Sequence, residues 1–549
     1  MIQDKMDFSM AKKIFFRYIV ALMALAGCAG PDTTPSVDWF DEYAEMQPGA
    51  PSQMYGRPSD GYGTETSDPN ATTDAPHTMA VLLPLSGPNA SVGQTIRTSV
   101  EMAILQNAPR GLNASFYDTN ENLDDTITQA LATNPEIIIG PVFANDAKQL
   151  RNTKPAALPV LAFTSDATAL GDGVMTMNLM PTNSVETIVR EMQNDGKKNF
   201  IIIAPDTASG HLMAGTAKSA ADIYELDLSG IFFYTEGNPD SIKNTSATAS
   251  MHNARVAAHT RARQVLSDIL INETLTAVEK SSLNTQLEKL SKVETIGRIP
   301  YDAILFLGNG DDTKSLASYL RYYDIGNRDA KFYGTTMWDG SDIAYDLTMS
   351  GAKFATMPES SPNFTQLYEQ TSGTLPNRLA TFGYDATNMA IGMIYSPKSN
   401  AAYLLDPSGY MGTDGLIRMQ PTGASERALR IVELNGTGTL TEIRPAASNF
   451  MTPLYNIEQR HITPADKMEL ETPGVDPDDF IRLPERLRSK YRSKTIGANI
   501  TVAPQIEKSK IIAFLPEDDS DEVIRAENYT PVKLETVSRS FIEEYEIEE

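Results

Sequence analysis

The chain of 549 residues is short of the residue types that most catalytic, redox and metal sites use. It holds one cysteine, Cys28, and five scattered histidines. A single thiol excludes an internal disulfide and a CxxC redox site. The sequence also lacks GxSxG, HExxH and a phosphate loop ending in GK[ST]. The chain is therefore predicted to have no catalytic residues, no cofactor and no metal centre.

Positive charge is scarce as well. Lys and Arg number 46 against 71 Asp and Glu, so the formal net charge is -25. Binding to nucleic acid draws its affinity from clustered Lys and Arg that release counterions from phosphates. The composition therefore predicts that nucleic acid is not a partner.

The N-terminal end has the organisation of a secretory signal. Lys12, Lys13 and Arg17 precede a short apolar run at 19–25, and two small residues then precede Cys28. The segment Leu-Ala-Gly-Cys resembles the lipobox of bacterial lipoproteins, which predicts a signal peptide over 1–27 and a membrane anchor on the lipidated Cys28. Ala29 stands where retention in the inner membrane usually requires Asp, so the resemblance implies the outer membrane. The alternative is a buried N-terminal helix with a chance cysteine.

Residues 28–77 are rich in Pro, Gly, Ser, Thr and Asp and have no apolar periodicity. Such a composition buries too little apolar surface to offset the entropy of ordering the backbone. It predicts a disordered tether that connects the anchor to the folded part.

The central part of the chain alternates between buried strands and amphipathic helices. The apolar run at 79–83 predicts a strand buried on both faces, and similar runs recur at 136–139, 160–163, 199–204 and 303–307. We predict an α/β fold of two lobes over 78–450, each lobe a doubly wound, mostly parallel sheet. Lobe 1 spans about 78–181, lobe 2 about 182–376 and the crossing elements about 377–450. The chain crossings between the lobes are expected to form a hinge beneath a shared cleft.

Two further segments allow more than one interpretation. A helical insert over about 252–296 carries apolar residues at helical spacing, so it forms either a partner surface or an arm packed on its own lobe. Residues 451–549 combine a basic cluster near 482–494 with an acidic end. Opposite charge runs of this kind predict a mostly disordered tail or a weak interaction arm.

Six motifs occur together in register with the predicted strands: AVLLPLSGPNASVGQ, FYDTNEN, IIIGPVFANDA, LPVLAFTSDAT, IIIAPD and YDAILFLGNG. In this order they resemble the type I periplasmic binding proteins of the leucine-binding kind. The helical insert, GTTMWDGSD, RLATFGYDA and a glycine turn before an arginine-led strand resemble the C-terminal domain of the LpoA group of penicillin-binding protein activators. Those activators carry an N-terminal helical-repeat domain, whereas here only the tether precedes Met79.

The resemblance and the strand ends together predict a ligand site in the cleft. Amino-acid-binding relatives hold a ligand carboxylate with hydroxyl and backbone N–H groups after the third and fourth strands. The matching residues here are Val142, Phe143, Thr164, Ser165, Asp166 and Thr168. Ser86 and Asn89 follow the first strand, and Asp206 or Asp311 at later strand ends would pair with a ligand ammonium. The alternative for all these side chains is helix capping.

The resemblance implies a lipid-anchored, non-enzymatic partner of a class A penicillin-binding protein that regulates peptidoglycan synthesis. The alternative function is a solute-binding receptor of an ABC transporter for an amino acid or a similar small molecule. A third hypothesis, an envelope hydrolase, has no motif in its support.

Overall fold

The computed structural model describes residues 77–398, 400–450, 461–466 and 474–497. The predicted signal peptide, the anchor at Cys28 and the tether lie outside these described residues. Within them, no helix is both long enough and apolar enough to cross a bilayer.

The first sheet has five parallel strands in the order β2-β1-β3-β4-β5. Its strands are β1 (His77–Leu83), β2 (Leu112–Asp118), β3 (Ile137–Ile139), β4 (Val160–Ala162) and β5 (Val174–Thr176). Alternate residues of β1 enter two different apolar clusters, with Val81 on one face and Leu82 on the other. The prediction of a strand buried on both faces is therefore confirmed.

Three helices connect these strands: α1 (Ala90–Asn107), α2 (Leu123–Ala132) and α3 (Ala144–Thr153). The start of α2 is fixed by Asn122, whose side chain accepts hydrogen bonds from the backbone N–H groups of Asp124 and Asp125. This is the ordinary use of asparagine as an N-cap. The connecting helices place each strand's carboxyl end at the same edge of the sheet.

The second sheet has seven strands in the order β15-β14-β10-β9-β8-β6-β7. Its parallel part comprises β6 (Asn199–Pro205), β7 (Asp227–Tyr234), β8 (Ala303–Phe306), β9 (Lys331–Gly334) and β10 (Lys353–Thr356). Two antiparallel strands, β14 (Arg430–Leu434) and β15 (Leu440–Arg444), extend it beyond β10. Helices α4 (Pro181–Asn194), α5 (Ala208–Ile223), α6 (Pro239–Ala249) and α9 (Gly310–Tyr322) accompany this sheet.

Crossing elements follow β10. They are α10 (Pro362–Ser372), α11 (Arg378–Ile394), α12 (Asn400–Leu404) and a small antiparallel sheet of β11 (Tyr410–Gly412), β12 (Gly415–Met419) and β13 (Ser425–Arg427). One apolar cluster contains residues of both large sheets together with residues of α11, such as Met389. The α/β fold class predicted from the sequence, with two mostly parallel sheets joined by crossing elements, is confirmed.

The segment 427–433 does not form the single strand that its alternating pattern predicts. β13 ends at Arg427 and pairs with β12, whereas β14 begins at Arg430 and pairs with β10 in the second large sheet. The chain therefore passes from one sheet to another at Ala428 and Leu429, both of which are buried.

The helical insert contains two long helices, α7 (His252–Asn272) and α8 (Ala277–Leu290). Thr276 and Glu279 form a reciprocal capping box that fixes the start of α8. Apolar residues of both helices form a cluster with residues 475–496, which also contain the short helix α13 (Glu485–Arg488). Residues 475–496 of the predicted tail therefore pack against the insert.

Candidate functional site

The predicted site residues of lobe 1 follow three adjacent parallel strands. Ser86 and Asn89 come after β1, Val142 and Phe143 after β3, and Thr164 begins the loop after β4. Because carboxyl ends of neighbouring parallel strands meet at one edge of a sheet, the structure brings these loops to the same side. The hydrogen bonds and ion pairs that each side chain makes there decide whether it is available to a ligand.

The loop after β4 uses its polar groups on itself. The backbone N–H of Asp166 donates to Thr164 Oγ1 at 3.1 Å, and Asp166 Oδ1 accepts from the N–H and the hydroxyl of Thr168 at 2.8 and 2.6 Å. Lys148 on α3 pairs with the other carboxylate oxygen at 2.9 Å. The capping interpretation therefore accounts for three of the four polar side chains of this loop, and Ser165 stays exposed.

The Asp166 carboxylate is strongly held in its charged form. Hydrogen bonds from the Thr168 hydroxyl and from Lys148 lower the pKa of Asp166 to about 2. A fixed negative charge in this loop opposes a second carboxylate, such as that of an amino acid, at the same place. The loop is therefore less suited to carboxylate capture than its hydroxyl content predicts.

The loop after β1 is exposed and is held by the neighbouring strand end. Asn120 donates to Ser86 Oγ at 3.2 Å, and the N–H of Leu85 donates to Asp118 at 2.8 Å. Gly87 has φ +72°, and a Cβ there would lie 2.5 Å from the Asn120 amide nitrogen, so the turn requires glycine. Asn89 precedes α1 without a side-chain capping bond. Sequence reasoning did not include Asp118 and Asn120 among the site residues, although both lie in the motif FYDTNEN.

Val142 and Phe143 contribute apolar surface instead of hydrogen bonds. Val142 is half-buried against the main apolar cluster, and Phe143 directly precedes α3 with 38% of its surface exposed. An aromatic side chain at a strand edge suits an apolar ligand group or a protein partner equally well.

The two acids of lobe 2 follow the adjacent strands β6 and β8. Asp206 lies 2.7 Å from His211 Nε2, and Asp311 lies 2.9 Å from Lys314 in the first turn of α9. Each acid is exposed and already has a partner on the helix that follows it. The structure therefore does not present either one as an uncompensated carboxylate for a ligand ammonium.

A second group of charged residues was missed by sequence reasoning, and it lies at the crossing between the lobes. Arg427 Nη1 pairs with Asp414 at 3.0 Å, and Arg427 Nη2 donates to the carbonyl of Met177 at 2.6 Å. Thr381 on α11 donates to Asp414 at 2.6 Å. The side chains of Asp414 and Arg427 are 0% and 2% exposed, so this is a buried ion pair. It joins the small sheet to α11 and to the end of the first large sheet.

Asp385 on α11 completes this crossing cluster, which we define as Arg378, Thr381, Asp385, Asp414 and Arg427. Both oxygens of Asp385 lie 3.0 Å from the N–H of Thr413, which donates to them. Burial, with the nearby Asp414 as a second cause, raises the pKa of Asp385 well above its usual range. Arg378 reaches Asp414 at 3.5 Å and donates to the carbonyl of Pro358 at 2.7 Å. The motif RLATFGYDA thus supplies three of the five residues of the crossing cluster.

Within the described ranges, no group of three or more His, Cys, Asp or Glu side chains is arranged to hold a metal ion. A polar cavity of about 150 Å³ lies beside the crossing cluster, and residues of α4, β13 and β15 line it, including Glu186, Glu191, Arg427 and Arg444. Burial, with Glu426 as a smaller cause, raises the pKa of Glu186.

Residues 70–218 match the model of a protein family described as "LppC putative lipoprotein". The penicillin-binding protein activator LpoA of Vibrio cholerae is 28% identical over 160 residues, which cover 26% of this chain and 26% of that one. The match therefore spans about a quarter of the length of that relative.

Solved structures give a similar result for the fold. The C-domain of Haemophilus influenzae LpoA, titled a regulator of PBP1A, is 18% identical with a TM-score of 0.45, over 67% of this chain and 99% of that one. A leucine-binding protein, LivK, from Thermotoga maritima is 14% identical with a TM-score of 0.40, over 67% of this chain and 97% of that one. The predicted resemblance to LpoA-type activators is confirmed by the sequence matches.

Proposed function

We propose that this chain is a lipid-anchored, periplasm-facing regulator that activates a class A penicillin-binding protein and has no catalytic activity of its own. The observations that carry the proposal are the similarity to LpoA activators, 28% identity over 160 residues, and the match of residues 70–218 to a lipoprotein family. Because that similarity covers only a quarter of the relatives' length, partner and activity are carried over as a proposal.

The polar side chains at the strand ends support contact with a protein over binding of a solute, because most of them already have hydrogen-bond or ion-pair partners. Asp166, Thr168, Asp206 and Asp311 are engaged by neighbouring side chains or backbone groups. A binding site for a small zwitterion needs polar groups that are free to converge on it. Here the same residue types stabilise loops and helix starts.

The test is a glycan-polymerisation assay with the purified class A penicillin-binding protein of the same bacterium. Adding the mature chain is expected to raise the rate of lipid II consumption in a saturable manner. Heat-denatured chain serves as the control. An unchanged rate, together with no detectable binding between the two proteins, would contradict the proposal.

The anchor is tested separately. Cys28→Ser removes the thiol that the lipobox presents for acylation, so the variant is expected to leave the membrane fraction and appear in the soluble periplasmic fraction. Sucrose-gradient fractionation of the wild type distinguishes the outer from the inner membrane. A membrane-bound Cys28→Ser variant would contradict lipid anchoring.

A solute receptor of an ABC transporter is the second candidate, because Ser86, Ser165 and Phe143 are exposed at one edge of the first sheet. A ligand at 100 times its dissociation constant stabilises a protein by about 2.7 kcal/mol, which thermal-shift measurement detects easily. A shift with an amino acid, and none with Ser165→Ala or Phe143→Ala, would favour this candidate.

A further inference from the structure

The arm is the part of the structure that the proposed function leaves unexplained. We use "arm module" for residues 252–298 together with 474–497. Its apolar cluster is separate from the clusters of the two large sheets and includes Val265, Leu266 and Ile269 of α7 with Ile481 and Leu487 of the C-terminal segment. The apolar stripe of the insert is therefore already covered by the chain itself.

The C-terminal segment runs from the base of the arm to its tip and back. Val475 and Ile496 pair through two backbone hydrogen bonds of 2.8 Å near Gly297, at the base. Farther along, Arg482 and Gln286 exchange two hydrogen bonds of 2.7 and 3.1 Å. Near the tip, Lys490 and Tyr491 both contact Glu273, which directly follows α7. Along this course Arg482, Arg488, Arg492 and Lys494 are exposed, whereas Ser493 is buried.

The arm module is basic, in contrast to the rest of the chain. It contains 13 Lys and Arg against nine Asp and Glu, whereas the whole chain has 46 against 71. Between residues 481 and 494 there are six cations and one acid. An acidic body repels an acidic partner and a basic patch attracts it, so this distribution would orient such a partner on the arm.

The six cations of the segment divide into two groups, those in ion pairs and those without an ion pair among the described residues. Arg488 pairs with Glu485 of its own helix at 2.8 Å. Arg486 pairs with Glu279 and Lys490 with Glu273, so these two hold the segment on the arm. Arg482, Arg492 and Lys494 are exposed, and no carboxylate among the described residues lies within ion-pair distance of them. Phe480, 40% exposed, lies two residues before Arg482. Exposed arginine and aromatic side chains are residue types enriched at protein–protein interfaces.

We propose that this basic face of the arm module, centred on Arg482, Arg492 and Lys494, is the docking surface for an acidic patch on a partner protein. The inference rests on the proposed function, in which that partner is the penicillin-binding protein. Carboxylates such as Asp479, Glu485 and Glu288 are interspersed with the cations, a mixed pattern that suits a complementary protein surface. An anionic membrane surface would instead favour an uninterrupted run of Lys and Arg.

The experiment measures the affinity of the purified class A penicillin-binding protein for three forms of the chain by biolayer interferometry. The forms are the wild type, the arm variant R482E/R492E/K494E and the control variant R110E/K198E/R328E. The control reverses three exposed cations outside the arm module, so both variants have the same net charge. The control should bind like the wild type, and the arm variant is expected to bind at least about tenfold more weakly, because it loses three exposed ion pairs to the partner.

Each outcome has a definite meaning. Equal affinity of the arm variant and the wild type would overturn the docking surface and leave the proposed function standing, whereas no binding by the wild type would overturn both. Circular dichroism and the thermal midpoint confirm that the variants are folded, and R482Q/R492Q/K494Q repeats the test without reversed charge. If the wild type binds vesicles of anionic phosphatidylglycerol and the arm variant does not, with equal affinity for the penicillin-binding protein, the surface is a membrane site and the proposal is wrong.

Discussion

Replacing Arg427 with methionine tests whether the crossing cluster fixes the two lobes. The variant removes the partner of Asp414, a carboxylate with 0% side-chain exposure, and leaves the carbonyl of Met177 without its 2.6 Å donor. Breaking a buried ion pair costs about 3–5 kcal/mol, and an orphaned buried carbonyl adds roughly 1 kcal/mol. Two contacts remain to Asp414, from Thr381 at 2.6 Å and from Arg378 at 3.5 Å. We therefore expect a loss near the middle of the range, about 4 kcal/mol.

The assay is equilibrium unfolding in urea, followed by the fluorescence of tryptophan, since Trp338 is buried in the second lobe with 1% of its surface exposed. The surface variant Arg97→Met is the control. Arg97 pairs with Glu101 at 2.7 Å, but both side chains are more than one third exposed, and such a pair contributes at most about 1 kcal/mol.

A double variant distinguishes an ion pair from simple loss of packing. Asp414→Asn removes the buried charge that Arg427→Met leaves without a partner. The double variant D414N/R427M is therefore expected to be more stable than R427M alone. The reasoning would be refuted by a loss below about 1 kcal/mol in R427M, or by a double variant whose loss equals the sum of the two single losses.

Three further predictions follow from other buried groups. Lys353→Met removes the ammonium that lies 3.2 Å from Glu191, whose side chain is 2% exposed, while Arg444 remains at 2.8 Å. The free energy of unfolding in urea should therefore fall by about 3 kcal/mol. A variant as stable as the wild type would contradict the pairing. The raised pKa of Asp385 means that the folded state binds a proton which the unfolded chain releases above about pH 4. Stability should therefore fall as pH rises from about 4 toward the folded pKa, and D385N should show a smaller fall between pH 5 and pH 8. Leu487→Ala leaves a cavity in the apolar cluster of the arm and should raise the rate of amide hydrogen exchange in α7 and α8. Exchange in β1 should not change, because the arm cluster is separate from the main apolar cluster.

The elements that the sequence predicts best are those whose burial is local and periodic. The run at 79–83, predicted as a strand buried on both faces, becomes the last five residues of β1. β5 and α4 were missed, because β5 directly follows the turn at 172–173 and α4 begins at a proline in a polar stretch. Their stability comes from neighbours distant in sequence, such as the pairing of Val174 with Val160.

The site was only partly predictable. Sequence reasoning placed the polar residues at the correct strand ends, because parallel topology determines where such ends meet. It could not determine which of them were already engaged, since Asp166 meets Lys148 through a helix packed beside its loop. The crossing cluster was missed for the same reason. Asp385 and Asp414 lie in separate elements, and only the fold brings them together around Thr413 and Arg427.

The distribution of paired and unpaired charge separates the cleft from the arm. At the cleft edge Asp166, Asp206 and Asp311 all have cationic or histidine partners, so a ligand would have to displace existing contacts before binding. On the arm, Arg482, Arg492 and Lys494 are exposed, and no carboxylate among the described residues lies within ion-pair distance of them, although the chain carries an excess of 25 negative charges. An acidic partner can bind these cations without breaking an ion pair among the described residues. We therefore infer that the binding function of this chain lies on the arm, and that the crossing cluster contributes by holding the lobes in one arrangement.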